Sequence, residues 1–257
     1  MSGIIFDKAV FGPIKSRRLG NSLGINLLPT DCKICNFNCI YCECGWTEPK
    51  VSGKLTERNH LKTELRLALI DLKAKNFPLD SITFAGNGEP TIHPDFIGIV
   101  EDVTALRNEF YPDAIVTVLS NSTTLSKPRI IEALLKTDNP VMKLDAGSEE
   151  TYQIINRSLA GVSLLKTVEN LCKFEGKLII QTLFLRGEYL GEKFDNTTEK
   201  EVKLWLQHIE RIQPKYVMLY PIDRATPAKN LEKVSQEELA AIAAKVNALG
   251  IETKIYG

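Results

Sequence analysis

Apolar positions along the chain fall into two alternating rhythms. Short aliphatic or β-branched runs recur at Leu23–Leu28, Ser81–Ala85, Ala114–Leu119, Val141–Leu144, Leu178–Leu185 and Tyr216–Tyr220, each the length of a buried strand. Between them lie segments with helical spacing. Leu61, Leu65, Leu69 and Leu72 form one stripe, and Phe96, Ile99, Val100 and Val103 form a second. Ser126 is predicted to cap a helix whose first turn holds Pro128 and whose buried face is Ile130, Ile131 and Leu134. Another helix is expected from about Val162 to Phe174. Thr198-x-x-Glu201 reads as a capping box opening a helix with the face Val202, Trp205, Ile209 and Ile212. Ser235-x-x-Glu238 opens the last helix, which closes at Gly250.

Strands and helices that alternate in this way imply an α/β fold with a parallel sheet and outer helices. Polar, chemically capable residues follow each strand at its C-terminal end, which is where barrel sites assemble, so a barrel or partial barrel is expected rather than an open sheet. No internal repeat or low-complexity tract divides the 257 residues. The expectation is one domain over 1–257, its last βα unit at about 216–250.

Composition narrows the picture. Hydrophobic residues make up 44% and charged residues 25%, ordinary for a globular protein. No apolar run is long enough for a bilayer, and Met1–Pro13 lacks the basic-then-apolar pattern of a signal peptide. Six cysteines without an export signal suggest a reducing cytoplasm. The formal net charge is zero, which lends RNA no support as a partner. Lys15, Arg17 and Arg18 read as a basic, solvated loop.

The cysteines carry the candidate chemistry. Cys35-Asn36-Phe37-Asn38-Cys39-Ile40-Tyr41-Cys42 spaces three thiols as C-x3-C-x2-C, within a loop from Thr30 to about Trp46. A closed iron–sulfur centre usually takes four thiolates. Three leave one iron free to bind something, as an open catalytic metal site does. Cys32 offers an alternative, a four-thiolate zinc or electron-transfer cluster, although structural zinc sites usually pair their thiols across a spacer. Cys44 is a further thiol near the site, and Cys172 reads as a small apolar residue of a helix. His60, His93 and His208 show no pattern of their own.

Later strands end in further polar groups. Ala85-Gly86-Asn87-Gly88-Glu89-Pro90-Thr91 combines glycines that permit close backbone approach with a carboxylate. Ser120-Asn121-Ser122-Thr123 follows the third strand. In the fourth, Val141, Lys143 and Asp145 share one face by strand periodicity, and a buried lysine beside a carboxylate is either paired or used. Arg157 in Ile155-Asn156-Arg157, with Arg186 as second choice, offers a guanidinium for a carboxylate. Tyr220 ends the sixth strand.

Together these motifs resemble the radical S-adenosylmethionine (SAM) superfamily. With Ser16-Arg17-Arg18-Leu19-Gly20-x-Ser22-Leu23-Gly24 and Lys143-Leu144-Asp145-Ala146-Gly147, they resemble the group related to the tRNA wyosine-base synthases. The resemblance runs from about Phe11 to the last helix. It implies a (β/α)6 partial TIM barrel and a [4Fe–4S] cluster on Cys35, Cys39 and Cys42, with Tyr41 the aromatic before the last ligand. It also implies reductive cleavage of SAM to methionine and a 5′-deoxyadenosyl radical that abstracts hydrogen from a substrate. Gly88 and Glu89, with Asn87 replacing the usual first glycine, correspond to the turn that holds the SAM amino group. Ser120, Asn121 and Asp145 fall where ribose or carboxylate contacts are expected, Arg157 where a carboxylate clamp is, and Tyr220 where adenine packs. Lys143 is the catalytic candidate, and an external reductant of flavodoxin or ferredoxin type is implied. Only Cys32 lies upstream of the motif, so the second cluster of the wyosine-base synthases has too few ligands here. The substrate stays open among an RNA base, a small molecule and a peptide.

Overall fold

The two rhythms become one eight-stranded sheet lined by helices in the computed structural model, which describes residues 3–48 and 53–257. Met1 and Ser2 of the Met1–Pro13 stretch lie outside the described residues. In chain order the elements are β1 (Val10–Ser16), β2 (Gly20–Ile25), α1 (Arg58–Ala74), β3 (Ser81–Phe84), α2 (Phe96–Phe110), β4 (Ile115–Ser120), α3 (Pro128–Leu135) and β5 (Asn139–Lys143). There follow α4 (Glu149–Asn156), α5 (Leu164–Cys172), β6 (Ile179–Leu183), β7 (Leu185–Tyr189), β8 (Glu192–Asp195) and α6 (Glu199–Ile212). The chain finishes with β9 (Tyr216–Tyr220), β10 (Leu231–Lys233), α7 (Gln236–Asn247) and β11 (Glu252–Ile255).

The sheet order is β1-β2-β3-β4-β5-β6-β9-β11, with β1 antiparallel to β2 and every other neighbouring pair parallel. β1 and β11 are its two edges, so the barrel is partial. The expected α/β partial barrel is therefore the observed fold. The six expected strands sit in the middle in the expected order. Every residue of β3 and β6 is buried, as parallel strands with side chains on both faces covered must be. The predicted stripes of α1 and α2 are their buried faces.

Several elements differ from the sequence reading. Strands β1, β7, β8, β10 and β11 were not expected. β7, β8 and β10 form a separate antiparallel sheet whose residues are mostly half-buried or exposed. Its charged sequence has no apolar run to mark it. β11 adds a parallel strand beside β9, so the last unit continues past Gly250. α4 was missed because it is only eight residues long and opens on Glu149 and Glu150. The N-cap of α3 is Lys127, not Ser126, although Pro128 does take the first turn. α7 has its full capping box, whereas α6 has half of one. Thr198 accepts from Glu201 N (3.3 Å), but the Glu201 carboxylate accepts from Gly147 N (3.0 Å) and Ser148 N (3.1 Å) instead. That contact ties α6 to the loop after β5.

The sheet does not close between β1 and β11, and the β1–β2 turn reaches the chain beyond β9. Arg17 from this turn forms a two-pronged pair with Asp223 beyond β9, at 2.7 and 3.2 Å. Inside, Val141, Ile179 and Met218 pack together as an apolar filling. No helix among the described residues is long and apolar enough to cross a membrane.

Candidate active site

β2 delivers the chain to the Cys loop, which has almost no regular structure of its own and is held by its neighbours. On one side Ile34 N donates to Asn87 O (2.9 Å) and Glu89 N to Ile34 O (3.3 Å), a one-residue parallel bridge between Ile34 and Gly88. On the other side Asn38 N donates to Asn156 O (3.0 Å) and Ile40 N to Ile155 O (3.0 Å), resting the loop on the end of α4. The thiols are thus suspended between the turn after β3 and the C-terminus of α4. Gly88 makes the first contact feasible. Its φ is +137°, and a Cβ there would lie 1.8 Å from Ile34 O, so the approach is open to glycine alone.

Cys39 is buried, and Cys35 and Cys42 are half-buried, all as free thiols. The Cys35 sulfur accepts from Phe37 N and from Asn121 Nδ2, both at 3.4 Å. The Cys39 thiol donates to Asn156 Oδ1 at 3.8 Å. Asn156 is fully buried, and its Nδ2 has no partner among the described residues. Burial pushes the Cys35 thiol up to about 12 and raises Cys39 as well. Cys42 is brought down to about 5, first by a hydrogen bond from Cys44 and then, against burial, by Lys33. Cys44, as the donor in that pair, goes up.

Lys33 was not singled out from the sequence. It is buried, and its Nζ donates to Gly45 O at 2.8 Å. Burial opposes its charge, but Cys42, Cys35 and Cys39 together outweigh burial and raise its pKa. Its only sequence signal is its place between Cys32 and Cys35.

Cys32 faces elsewhere, toward Asp31 and Gly53, and burial raises its pKa. The closed four-thiolate arrangement is therefore not assembled. Among the described residues no three His, Cys, Asp or Glu side chains converge on one ion position, as a zinc site would require. Three soft thiolates, one for each of three irons, suit an iron–sulfur cluster. The unpartnered Asn156 amide supports the same fit. A ligating thiolate has no proton to give to Oδ1, and a flipped amide would donate Nδ2–H to it.

The turn after β3 divides its residues between structure and site. Glu89 is buried, its carboxylate accepting from Thr91 N (3.1 Å), Thr91 Oγ1, Ser120 Oγ (2.9 Å) and Asn121 N (2.6 Å). Burial raises its pKa, and those donors push back. Ser120 and Asn121 therefore act first as partners of Glu89, and Asn121 also reaches Asn36 (2.9 Å) and Cys35. The Asn87 side-chain amide is partnered by Phe6 N, Phe6 O and Pro29 O (2.7–2.9 Å), which makes it a brace for the Cys loop.

Lys143, Tyr41 and Asp145 meet in one buried network. Lys143 Nζ donates to Tyr41 Oη at 2.6 Å and pairs with Asp145, while Tyr41 Oη donates to the same carboxylate. Asp145 also accepts from Leu183 N at 3.0 Å. Burial pushes Lys143 down to about 8, with Cys39, Cys42 and Cys35 acting the other way. Tyr41, the residue before Cys42, thus connects the Cys loop to the β5 pair.

Each guanidinium offered for a carboxylate clamp has partners within the fold. Arg157 takes the left-handed position after α4 and stacks over Tyr189 at 4.8 Å. Arg186 pairs with Asp195 (3.2 Å) and Glu238. Arg18 enters the barrel instead, correcting the solvated-loop reading. It donates to Gln181 Oε1 (3.0 Å) and lies 4.9 Å over the Tyr220 ring. Cys172 is half-buried, against Arg211 O at 3.7 Å. His93 Nε2 lies 3.0 Å from Thr56 O, and His208 Nε2 lies 2.9 Å from Gly147 O.

A cavity of about 430 Å³ opens into the barrel, with Tyr41, Cys42 and Cys44 on the Cys-loop side and Arg18, Tyr220 and Tyr256 among its other walls. Its volume falls in the range of small-molecule sites.

Comparison with known proteins follows this geometry. The Radical SAM superfamily model matches residues 31–200. Over 90% of this chain, a Helicobacter pylori UPF0026 protein is 30% identical, the match covering 71% of that protein. A Brachyspira hyodysenteriae protein named GTPase Obg is 31% identical over 90% of this chain, but the chain spans only 32% of its length. Among solved structures, a radical SAM methyltransferase from Sphaerobacter thermophilus superposes with TM-score 0.67 at 14% identity, over 91% of this chain and 65% of that one. Archaeal TYW1 superposes with TM-score 0.54 at 12% identity, over 88% of this chain and 71% of its own. At such identities the likeness concerns the fold.

Proposed function

The chain belongs to the radical SAM superfamily of enzymes and to the UPF0026 proteins, and from that premise we propose that it cleaves SAM reductively to abstract hydrogen from a substrate. The observation that carries the reading is the Ile34–Gly88 bridge, which sets the loop bearing Cys35, Cys39 and Cys42 beside the Gly88–Glu89 turn. The cofactors of the superfamily are a [4Fe–4S] cluster and SAM. A cluster held by Cys35, Cys39 and Cys42 would supply the one electron that reductive cleavage of SAM needs. We read 1–257 as one radical SAM core domain working in a reducing compartment with an external one-electron donor of flavodoxin or ferredoxin type.

The protein's own residues have distinct tasks in this reading. Cys35, Cys39 and Cys42 hold the cluster, and Lys33 offsets the charge of the three thiolates from a buried position. Asn121 and Asn156 direct amides at the sulfurs of Cys35 and Cys39. Gly88 and Glu89 receive the SAM amino group, the four donors on Glu89 fixing a carboxylate beside an ammonium. Asp145 serves the ribose and Tyr220 the adenine. Lys143 holds a proton on Nζ between Tyr41 and Asp145, where it is able to position or protonate a substrate. The apolar filling of Val141, Ile179 and Met218 keeps water from the floor of the barrel.

The deciding experiment is anaerobic. Reconstituted protein is given SAM and dithionite, and 5′-deoxyadenosine is quantified against protein without a cluster. Product only with the cluster supports the reading, whereas intact SAM after full reconstitution, even with cell extract added, rejects it.

Two variants refine the ligand assignment. Cys32→Ala is expected to keep wild-type iron and sulfide, because Cys32 faces Asp31 and Gly53. A collapse of iron content would instead restore the four-thiolate electron-transfer alternative. Asn156→Leu removes an amide donor while conserving volume. It is expected to leave iron content intact and move the cluster potential to a more negative value, since hydrogen bonds to sulfur favour the reduced state. An unchanged potential in an electron-spin-resonance titration removes Asn156 from that role.

A further inference from the structure

Arg17 and Arg18 are adjacent in sequence and opposite in fate. Arg17 is exposed and satisfied by Asp223. Arg18 turns inward from the N-terminal end of β2, while Cys42 and Cys44 border the same cavity from the Cys loop beyond its C-terminal end. Among the described residues its side chain meets the neutral Gln181 amide and the Tyr220 hydroxyl, and its flat face rests on the Tyr220 ring. Among the described residues no carboxylate lies within ion-pair distance of it. The other arginines on the cavity wall are matched, Arg17 with Asp223 and Arg224 with Glu43 at 2.7 Å. Lys15 adds another cation to the wall without an ion pair among the described residues.

A cation drawn into a barrel without a counter-charge is unfavourable unless a ligand supplies one. Arginine is also the side chain whose rigid fork grips a carboxylate or phosphate with two parallel bonds. Here stacking on Tyr220 and the bond to Gln181 fix that fork, leaving the rest of its edge to the cavity. We propose that the barrel binds a small anionic substrate whose carboxylate or phosphate is anchored on Arg18, with the remainder of the molecule directed toward the thiol end. Calling this anion the substrate rests on the radical SAM reading, whereas the anion site itself does not.

Anaerobically reconstituted protein is melted in chloride, inorganic phosphate or acetate at equal ionic strength, as wild type, Arg18→Gln, Arg18→Lys and Arg17→Gln. Phosphate or acetate is expected to raise the wild-type melting temperature by a few degrees, the effect of a ligand present well above its dissociation constant. Whichever anion acts identifies the group, and acetate without phosphate indicates a carboxylate. Arg18→Gln is expected to lose the effect, Arg18→Lys to keep part of it and Arg17→Gln to keep all of it. No response in wild type, or equal loss in Arg17→Gln, overturns the proposal.

SAM also carries a carboxylate, so its dissociation constant is measured by equilibrium dialysis in parallel. A roughly tenfold weakening in Arg18→Gln, the size of a lost charge-assisted contact, would assign Arg18 to SAM and overturn the substrate site. Retained SAM affinity with lost anion response supports it. An Arg18-dependent anion response in a protein that never cleaves SAM upholds the anion site and rejects the radical reading alone.

Discussion

Cys39→Ala is expected to fold and yet fail to retain a cluster. The side chain is buried in the main core, but loss of one sulfur from a domain of this size removes about 1 kcal/mol of packing. Its ligand role has no substitute nearby. Cys32 is turned toward Asp31 and Gly53. Cys44 is engaged with Cys42 and Gly86 O, at 3.4 Å from the latter. Two thiolates on a flexible loop do not hold four irons. The expected result is a wild-type circular-dichroism spectrum, a melting temperature within a few degrees of the wild-type apoprotein, loss of the visible absorbance of the cluster, and no 5′-deoxyadenosine. Wild-type iron and sulfide in this variant would remove Cys39 from the ligand set.

Gly88→Ala is expected to release the Cys loop. The added methyl would sit 1.8 Å from Ile34 O and 2.6 Å from Ile34 C, both backbone atoms that cannot swing aside like a flexible side chain. The positive φ adds roughly 1–3 kcal/mol of strain. The clash also opens the Ile34–Gly88 bridge, whose hydrogen bonds are each worth about 1 kcal/mol. A loss on the order of 3 kcal/mol or more is expected, concentrated where the loop meets the turn. Reconstituted iron should fall steeply, and protease should cut the loop before the rest of the chain. Gly161→Ala is the control, since nothing lies within 4 Å of that position although its φ is also positive. If Gly88→Ala melts and reconstitutes like Gly161→Ala, the bridge does not position the thiols.

Read alone, the sequence determined what depends on local periodicity and spacing. Six buried strands were legible because parallel strands covered on both faces must be continuous apolar runs, as β3 and β6 are. The C-x3-C-x2-C spacing and the glycine turn were legible because each is a short motif whose chemistry lies in its own residues. Lys143 and Asp145 followed from strand periodicity, and the structure pairs them directly and adds Tyr41 to the pair. The small sheet of β7, β8 and β10 left no such trace, since its strands are short and charged and gain order only from one another.

Only the tertiary structure decided which polar side chains face one another across the barrel. Asn87 and Arg186 have the residue types of ligand groups, yet contacts distant in sequence consume both, Phe6 and Pro29 in one case and Glu238 in the other. Arg18 has the sequence of a surface loop, yet contacts with Gln181 and Tyr220, both distant in sequence, hold it inside. Lys33 keeps its charge against burial because Cys42, Cys35 and Cys39 lie near it in the folded loop. Spacing along a chain specifies neighbours on one strand or helix. Which long side chain fills a lumen, and which cation remains without a counter-ion, depends on how the sheet curves and where its edges end.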